Sequence, residues 1–139
     1  MLIVIDANEI FSLLIKGTSK SESIFFSEDI NLIAPEFLML EFSKNEEEIL
    51  SKTHRSKEEF LKLITIFKRR IRFIPKEEFL EQLSAAKKLF PEHLKDSPYL
   101  ALALKFNCSL WTEEKLLKKQ NVIKVLNTFE LFKLSFPSE

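Results

Sequence analysis

The chain opens with a continuous apolar, β-branched run, Leu2–Ile5, whose length fits a strand buried on both faces. Asp6-Ala7-Asn8 closes that run, and Ile10, Leu13 and Leu14 follow at helical spacing up to Lys16-Gly17, a stop signal. The pattern then predicts a second helix over 18–27, a second strand over 31–34, and a helix opened by Pro35 that carries Phe37, Leu38, Glu41 and Phe42. A charged stretch occupies 45–51. Ser56-Lys57-Glu58-Glu59 reads as a capping box for a helix that buries Phe60, Leu63, Ile64 and Phe67. Beyond it the pattern predicts a strand Ile71–Ile74, an amphipathic helix over 76–90 stopped by Pro91, and a very apolar helix opened by Asp96-Ser97-Pro98. A strand over 109–112, a short helix over 113–119, a strand over 122–126 and a last helix over 127–134 complete the series.

Strands alternating with helices predict an α/β domain built on a mainly parallel sheet. Repeats and linkers are absent from the pattern, so residues 1–139 read as one domain. The 21 Lys and Arg balance 21 Asp and Glu, which excludes nucleic-acid binding through bulk positive charge and leaves room for a local basic face. One Gly excludes the Gly-rich phosphate loops. One Cys and two His exclude Cys/His zinc frameworks and an intrachain disulfide. The start has no basic n-region, and no apolar run approaches the ~18 residues of a membrane span, so a cytoplasmic protein without membrane contact is expected.

Among the acids only three are Asp: Asp6, Asp29 and Asp96. In open parallel sheets ligands bind beyond the carboxyl ends of the strands. Asp6 directly follows the first strand and Glu113-Glu114 follow the fourth. Asp96 starts the helix that leads into the fourth strand, and Glu41 lies about two turns into the helix after the second. Carboxylates gathered at one edge repel one another unless a divalent cation neutralises them, and oxygen donors favour Mg²⁺ or Mn²⁺. Each acid also has an ordinary structural reading. Asp6 and Asp96 suit helix caps, Glu41 a solvated helix face, and Glu113 and Glu114 the positive end of a helix dipole.

The local words around these acids, Asp6-Ala-Asn8, Ala34-Pro35 with Glu41, Asp96-Ser-Pro-Tyr-Leu-Ala-Leu-Ala-Leu104 and Trp111-Thr-Glu-Glu-Lys115, resemble in order and spacing those of PIN domains. The resemblance spans essentially the whole chain and is greatest to the prokaryotic branch that includes the ribonuclease toxins of VapBC toxin–antitoxin pairs. It implies a three-layer, Rossmann-like domain with a five-stranded parallel sheet flanked by helices. It also implies a metal-dependent nuclease acting on RNA, single-stranded in the reading adopted here. Asp6, Glu41 and Asp96 match the family's catalytic, metal-binding acids, Asn8 a polar neighbour and Thr112 a small hydroxyl beside them. Glu114 stands where the family carries Asp, and its extra methylene displaces the carboxylate by about 1.5 Å. That departure keeps open an alternative, a PIN-like domain that binds RNA or a protein without cutting. By the same resemblance the partners are an RNA substrate, an antitoxin protein and a second copy of the chain.

Lys115, Lys118 and Lys119 follow the acidic edge and are the candidate RNA-backbone contacts. Lys68, Arg69 and Arg70 read instead as cations at a helix C-terminus. Glu9 reads as a solvent-facing helix residue. The 14 Phe and Trp111 read as packing, Cys108 as a small buried hydrophobe, and His54 and His93 as residues of polar connections without a site role. A receiver-like signalling domain would need an Asp where the third strand ends in Ile74-Pro75, and it is set aside.

Overall fold

The computed structural model describes residues 1–137. Five strands, β1 (Leu2–Ile5), β2 (Asn31–Pro35), β3 (Ile71–Ile74), β4 (Ser109–Trp111) and β5 (Val125–Leu126), form one parallel sheet in the order β3-β2-β1-β4-β5. Around it lie α1 (Ala7–Lys16), α2 (Ser19–Phe25), α3 (Leu38–Lys52), α4 (Lys57–Arg70), α5 (Leu80–Leu89), α6 (Ser97–Phe106) and α7 (Thr128–Ser135). β1 is central and its Ile3, Val4 and Ile5 are buried, as the unbroken apolar run requires. The chain winds outward to one side through β2 and β3 and returns to the other through β4 and β5. The strand order therefore reverses between β1 and β4, with Ile5 paired to Trp111 at that junction.

α6 is the most buried helix and packs on β1, β2 and β4 with α5 against it. Its Ala101 and Ala103 are small enough to let the helix lie close to the sheet. Asn107 ends it in the left-handed region at φ 48°, and Cys108 N–H donates to Ala103 O (3.1 Å), turning the chain into β4. Cys108 is half-buried, and burial raises its thiol to about 11.

The local pattern differs from the fold in a few places, each for a physical reason. Pro35 is the last residue of β2 rather than the first of a helix. It pairs with Ile74 on the β3 side, whereas pairing to β1 stops at Ile33, so its missing N–H interrupts no ladder bond there. α3 consequently starts at Leu38 and places Glu41 in its first turn, not two turns in. The same helix runs on through the charged stretch to Lys52, helped by buried Ile49 and a Lys52–Glu48 pair at 2.8 Å. The segment after β4 is a 3₁₀ turn over Lys115–Lys119. The Gln120 side chain then ties Leu117 O and Ile123 O and accepts from the Val122 and Ile123 N–H groups, so β5 begins only at Val125. At Ser56 half of the expected box forms: Ser56 Oγ accepts from Glu59 N–H at 3.1 Å. Among the described residues no helix is long and apolar enough to cross a membrane.

The basic cluster at the end of α4 lies at the amino-terminal edge of the sheet, away from the acids. Arg70 donates to Phe25 O, Ser27 O and Ile30 O at 2.9, 2.9 and 3.1 Å, tying the end of α2 and its following turn to α4. Its role is structural. Arg70→Ala is expected to lower the unfolding free energy by about 2–3 kcal/mol, because three carbonyls lose a charged donor, whereas neighbouring exposed Arg69→Ala changes it by no more than ~0.5 kcal/mol. Urea denaturation of the two variants measures the difference.

Candidate active site

The backbone of Asp6 is fixed first. Its N–H donates to Trp111 O at 3.1 Å, so the residue sits where β1 ends against β4 at the reversal of strand order. Thr112, the next residue of the β4 side, is held by its own N–H on Leu126 O (3.0 Å). From there its hydroxyl donates to Asp6 Oδ2 at 2.8 Å and accepts the Glu114 N–H at 3.1 Å. One buried threonine thus links the first acid to the loop that carries the last. Trp111 is fully buried, its indole N–H on Thr128 Oγ1 at 3.0 Å.

Asp6 occupies the N-cap position of α1 and Asp96 that of α6, yet neither carboxylate makes a cap hydrogen bond. Neither closes a cap by geometry, although the Asn8 and Ala7 N–H groups still favour the Asp6 anion. Asp6 is only 9% exposed. Burial raises its pKa, Thr112 and the nearby Asn8 and Ala7 N–H groups oppose the rise, and the Asp96 charge adds to it. Asp96 is also raised, by burial first and then by Glu114, against the opposing pull of His93 and Lys95. Asp6, Asp96 and Glu114 therefore share one electrostatic neighbourhood.

Glu41 approaches from α3, half-buried, at the wall of a cavity of about 390 Å³ that it shares with Phe37, Phe79, Leu94, Lys76 and Lys95. Glu114 is exposed, and its Oε1 accepts from Leu116 N–H at 3.3 Å, so part of its carboxylate caps the 3₁₀ turn. Asn8 is exposed with its backbone, not its amide side chain, near Asp6. Of the three lysines, Lys118 is paired with Glu130, while Lys115 and Lys119 are exposed and form no ion pair among the described residues. Lys76 and Lys95, beside Glu41, are cations near the acids that the sequence pattern does not single out. His93, which the sequence reads as having no site role, stands near enough to Asp96 to oppose the rise of its pKa.

Whether these acids fit a divalent ion is decided by donor type, charge and spacing. All four are carboxylates, none is paired with Lys or Arg among the described residues, and Asp6 and Asp96 raise each other's energy as anions. Charge and donors fit Mg²⁺ or Mn²⁺, which bind through one or two carboxylates with waters completing the octahedron. Spacing is wider than a complete protein cage: no three Asp, Glu, His or Cys among the described residues stand close enough to hold an ion.

Glu9 is a correction. It is 6% exposed rather than solvent-facing, because the loop after β4 and the start of α7 cover this side of α1. Burial and the adjoining Glu113 carboxyl push its pKa up to about 9. Glu113 is held in turn by Thr128, whose N–H and Oγ1 donate to Oε2 at 3.1 and 2.9 Å.

Residues 4–129 match the PIN domain family. The chain belongs to that family, whose members are generally nucleases. Among solved structures it is similar to a chain of VapBC2 from Rickettsia felis, bound to a DNA fragment from their promoter. The TM-score is 0.64 at 16% identity, over 91% of this chain and 98% of that one. Among curated proteins none matches.

The Glu9 shift fixes a pH dependence. Its folded pKa, about 9, lies above the ordinary 4.5, so the folded state holds a proton that the unfolded state releases between those values. The stability it contributes is complete below pH 4.5 and is lost as pH rises toward 9. Glu9→Gln, which cannot ionise, is expected to raise Tm over wild type by ~4 °C or more at pH 8 and to match it near pH 4.5. Thermal melts across that range check the crossover; Glu113 and Asp6 are the acids that act on Glu9, and Lys16 and Lys20 line the same surface cleft.

Proposed function

We propose that the chain is a metal-dependent endoribonuclease that hydrolyses phosphodiester bonds of single-stranded RNA. The observation that carries the reading is the buried, uncapping Asp6 carboxylate, held by Thr112 and facing Asp96 at the strand-order reversal. A buried anion beside a second anion, with no salt bridge to either among the described residues, is an arrangement that a divalent ion completes. Asp6 and Asp96 would hold Mg²⁺ or Mn²⁺, with Glu41 and Glu114 reaching it through water. When bound, the ion supplies Lewis-acid polarisation of the phosphoryl group and a lowered pKa for water.

The chain's own groups supply the rest. Thr112 keeps one Asp6 oxygen engaged and so fixes which oxygen faces the cleft. Asp96 and Glu114, which act on each other electrostatically, accept hydrogen bonds from the attacking water and take its proton. Lys76 and Lys95 on the Glu41 side, and Lys115 and Lys119 on the Glu114 side, offer positive charge to phosphates on the two flanks of the acids. A role as the toxin of a VapBC-type pair, with an antitoxin partner and a homodimeric state, extends this reading on the strength of the family and the similarity to the VapBC2 chain.

One observation favours the reading of binding without cutting: part of the Glu114 carboxylate is spent on the Leu116 N–H. Cleavage of a single-stranded RNA oligonucleotide with Mn²⁺ or Mg²⁺ decides. Wild type is expected to cut, Asp6→Asn and Asp96→Asn to lose at least ~100-fold, and Glu114→Asp to cut as fast as wild type or faster. Equal cleavage by wild type and Asp6→Asn would sink the site. An inactive wild type that still binds the RNA would favour the second reading.

A further inference from the structure

Two hydroxyls on the first turn of α6 have no hydrogen-bond partner although both are sealed from solvent: Ser97 Oγ and Tyr99 Oη. Their residues are 1% and 4% exposed. A buried polar group without a partner is costly enough to require a reason, and water or a bound group is the usual one. Tyr99 lies one turn beyond Asp96, and Glu41, Asp6 and Asp96 all act on its phenol. Burial first, and then those three carboxylates, hold its proton far above the ordinary phenol range. The phenol is therefore a neutral donor at every working pH, set among anions without adding to their charge.

Its position is fixed on both sides. The ring meets Phe37 edge to face, with centroids 5.9 Å apart and planes at 70°, and Phe37 immediately precedes the helix that carries Glu41. The Ala7 N–H, next to Asp6, acts on the phenol oxygen without hydrogen-bond geometry and is in any case a donor. The O–H proton thus has no acceptor in contact, while three acceptors surround it at longer range. One bridging water closes that kind of gap.

We propose that Tyr99 is a positioning residue: through one buried water its O–H orients the Asp6 carboxylate that shares a divalent ion with Asp96 and the Glu41 carboxylate that reaches that ion through water. The sealed phenol oxygen cannot reach substrate itself, so it acts through these acids. The inference rests on the function proposed above, and it adds a donor to the acids, as outer partners do for metal ligands generally.

Tyr99 is the only tyrosine in the chain, so in protein labelled with 13C-tyrosine the infrared C–O band reports this position alone. Titrating the wild-type protein with Mn²⁺ is expected to shift that band, and Asp6→Asn to abolish the shift. Tyr99→Phe keeps the ring and removes one oxygen. It is expected to retain the wild-type Tm or exceed it, to weaken Mn²⁺ binding about tenfold, and to lower kcat about tenfold with KM for RNA unchanged. Wild-type Mn²⁺ affinity in Tyr99→Phe, or a silent tyrosine band while Mn²⁺ binds, overturns the proposal. If Tyr99→Phe loses stability, the band shift in the wild-type protein decides. A wild type that binds Mn²⁺ but cuts no RNA overturns the nuclease reading and leaves Tyr99 to be judged by affinity and band. One that binds no Mn²⁺ overturns both.

Discussion

The hydrogen bond from Thr112 Oγ1 to Asp6 Oδ2 is the contact on which the site depends. It joins residues 106 positions apart, across the junction where the sheet reverses its order of strands. A carboxylate at the end of a fully buried strand is opposed by desolvation, and Thr112 and the first N–H groups of α1 offset only part of that opposition. What remains is a carboxylate whose charged form is costly and which a nearby cation would favour. The same hydroxyl accepts the Glu114 N–H, so the position of Asp6 and the path of the loop after β4 are set by one side chain.

The fold supplies the convergence that the sequence can only suggest. Because β1 is central and β4 is its neighbour, the first residue after β1 and the loop after β4 emerge at the same point. α6 runs back across β1, β2 and β4, and its start therefore brings Asp96, Ser97 and Tyr99 to that carboxyl edge. Both aspartates sit at N-cap positions and both leave the cap hydrogen bond unmade. The first N–H groups of α1 still favour the Asp6 anion, whereas burial, His93, Lys95 and Glu114, and no backbone donor, act on Asp96.

What was legible in the sequence follows the range of the interactions. Leu2–Ile5 and the apolar helix after Asp96 announce themselves because continuous apolar runs have few other uses, and the strand–helix alternation follows from them. The family words place Asp6, Glu41, Asp96 and Thr112 at one edge, and the structure does bring them there. In the sequence Glu9 looks solvated, because a glutamate on a short amphipathic helix usually is. Its burial depends on Glu113 and Thr128, more than a hundred residues away. Tyr99 was hidden among Leu and Ala neighbours that make it look like core, and only its unpartnered oxygen distinguishes it. Lys118 was grouped with Lys115 and Lys119 by proximity in the chain, but its ammonium pairs with the glutamate that caps α7.

The zero net charge takes its meaning from this arrangement. The most conspicuous basic run, Lys68–Arg72, is spent on the opposite edge of the sheet, where Arg70 ties three carbonyls. The cations that flank the acids are scattered singly along the chain, Lys76 and Lys95 beside Glu41 and Lys115 beside Glu114. A polyanion approaching a cleft of carboxylates without salt bridges would be repelled by the same charges that favour a divalent ion. Occupancy by the cation therefore has to precede or accompany RNA binding in the proposed function, and the lysines act at full effect only on the neutralised site. The charge balance is thus compatible with a nucleic-acid enzyme when the missing positive charge is a bound ion rather than side chains.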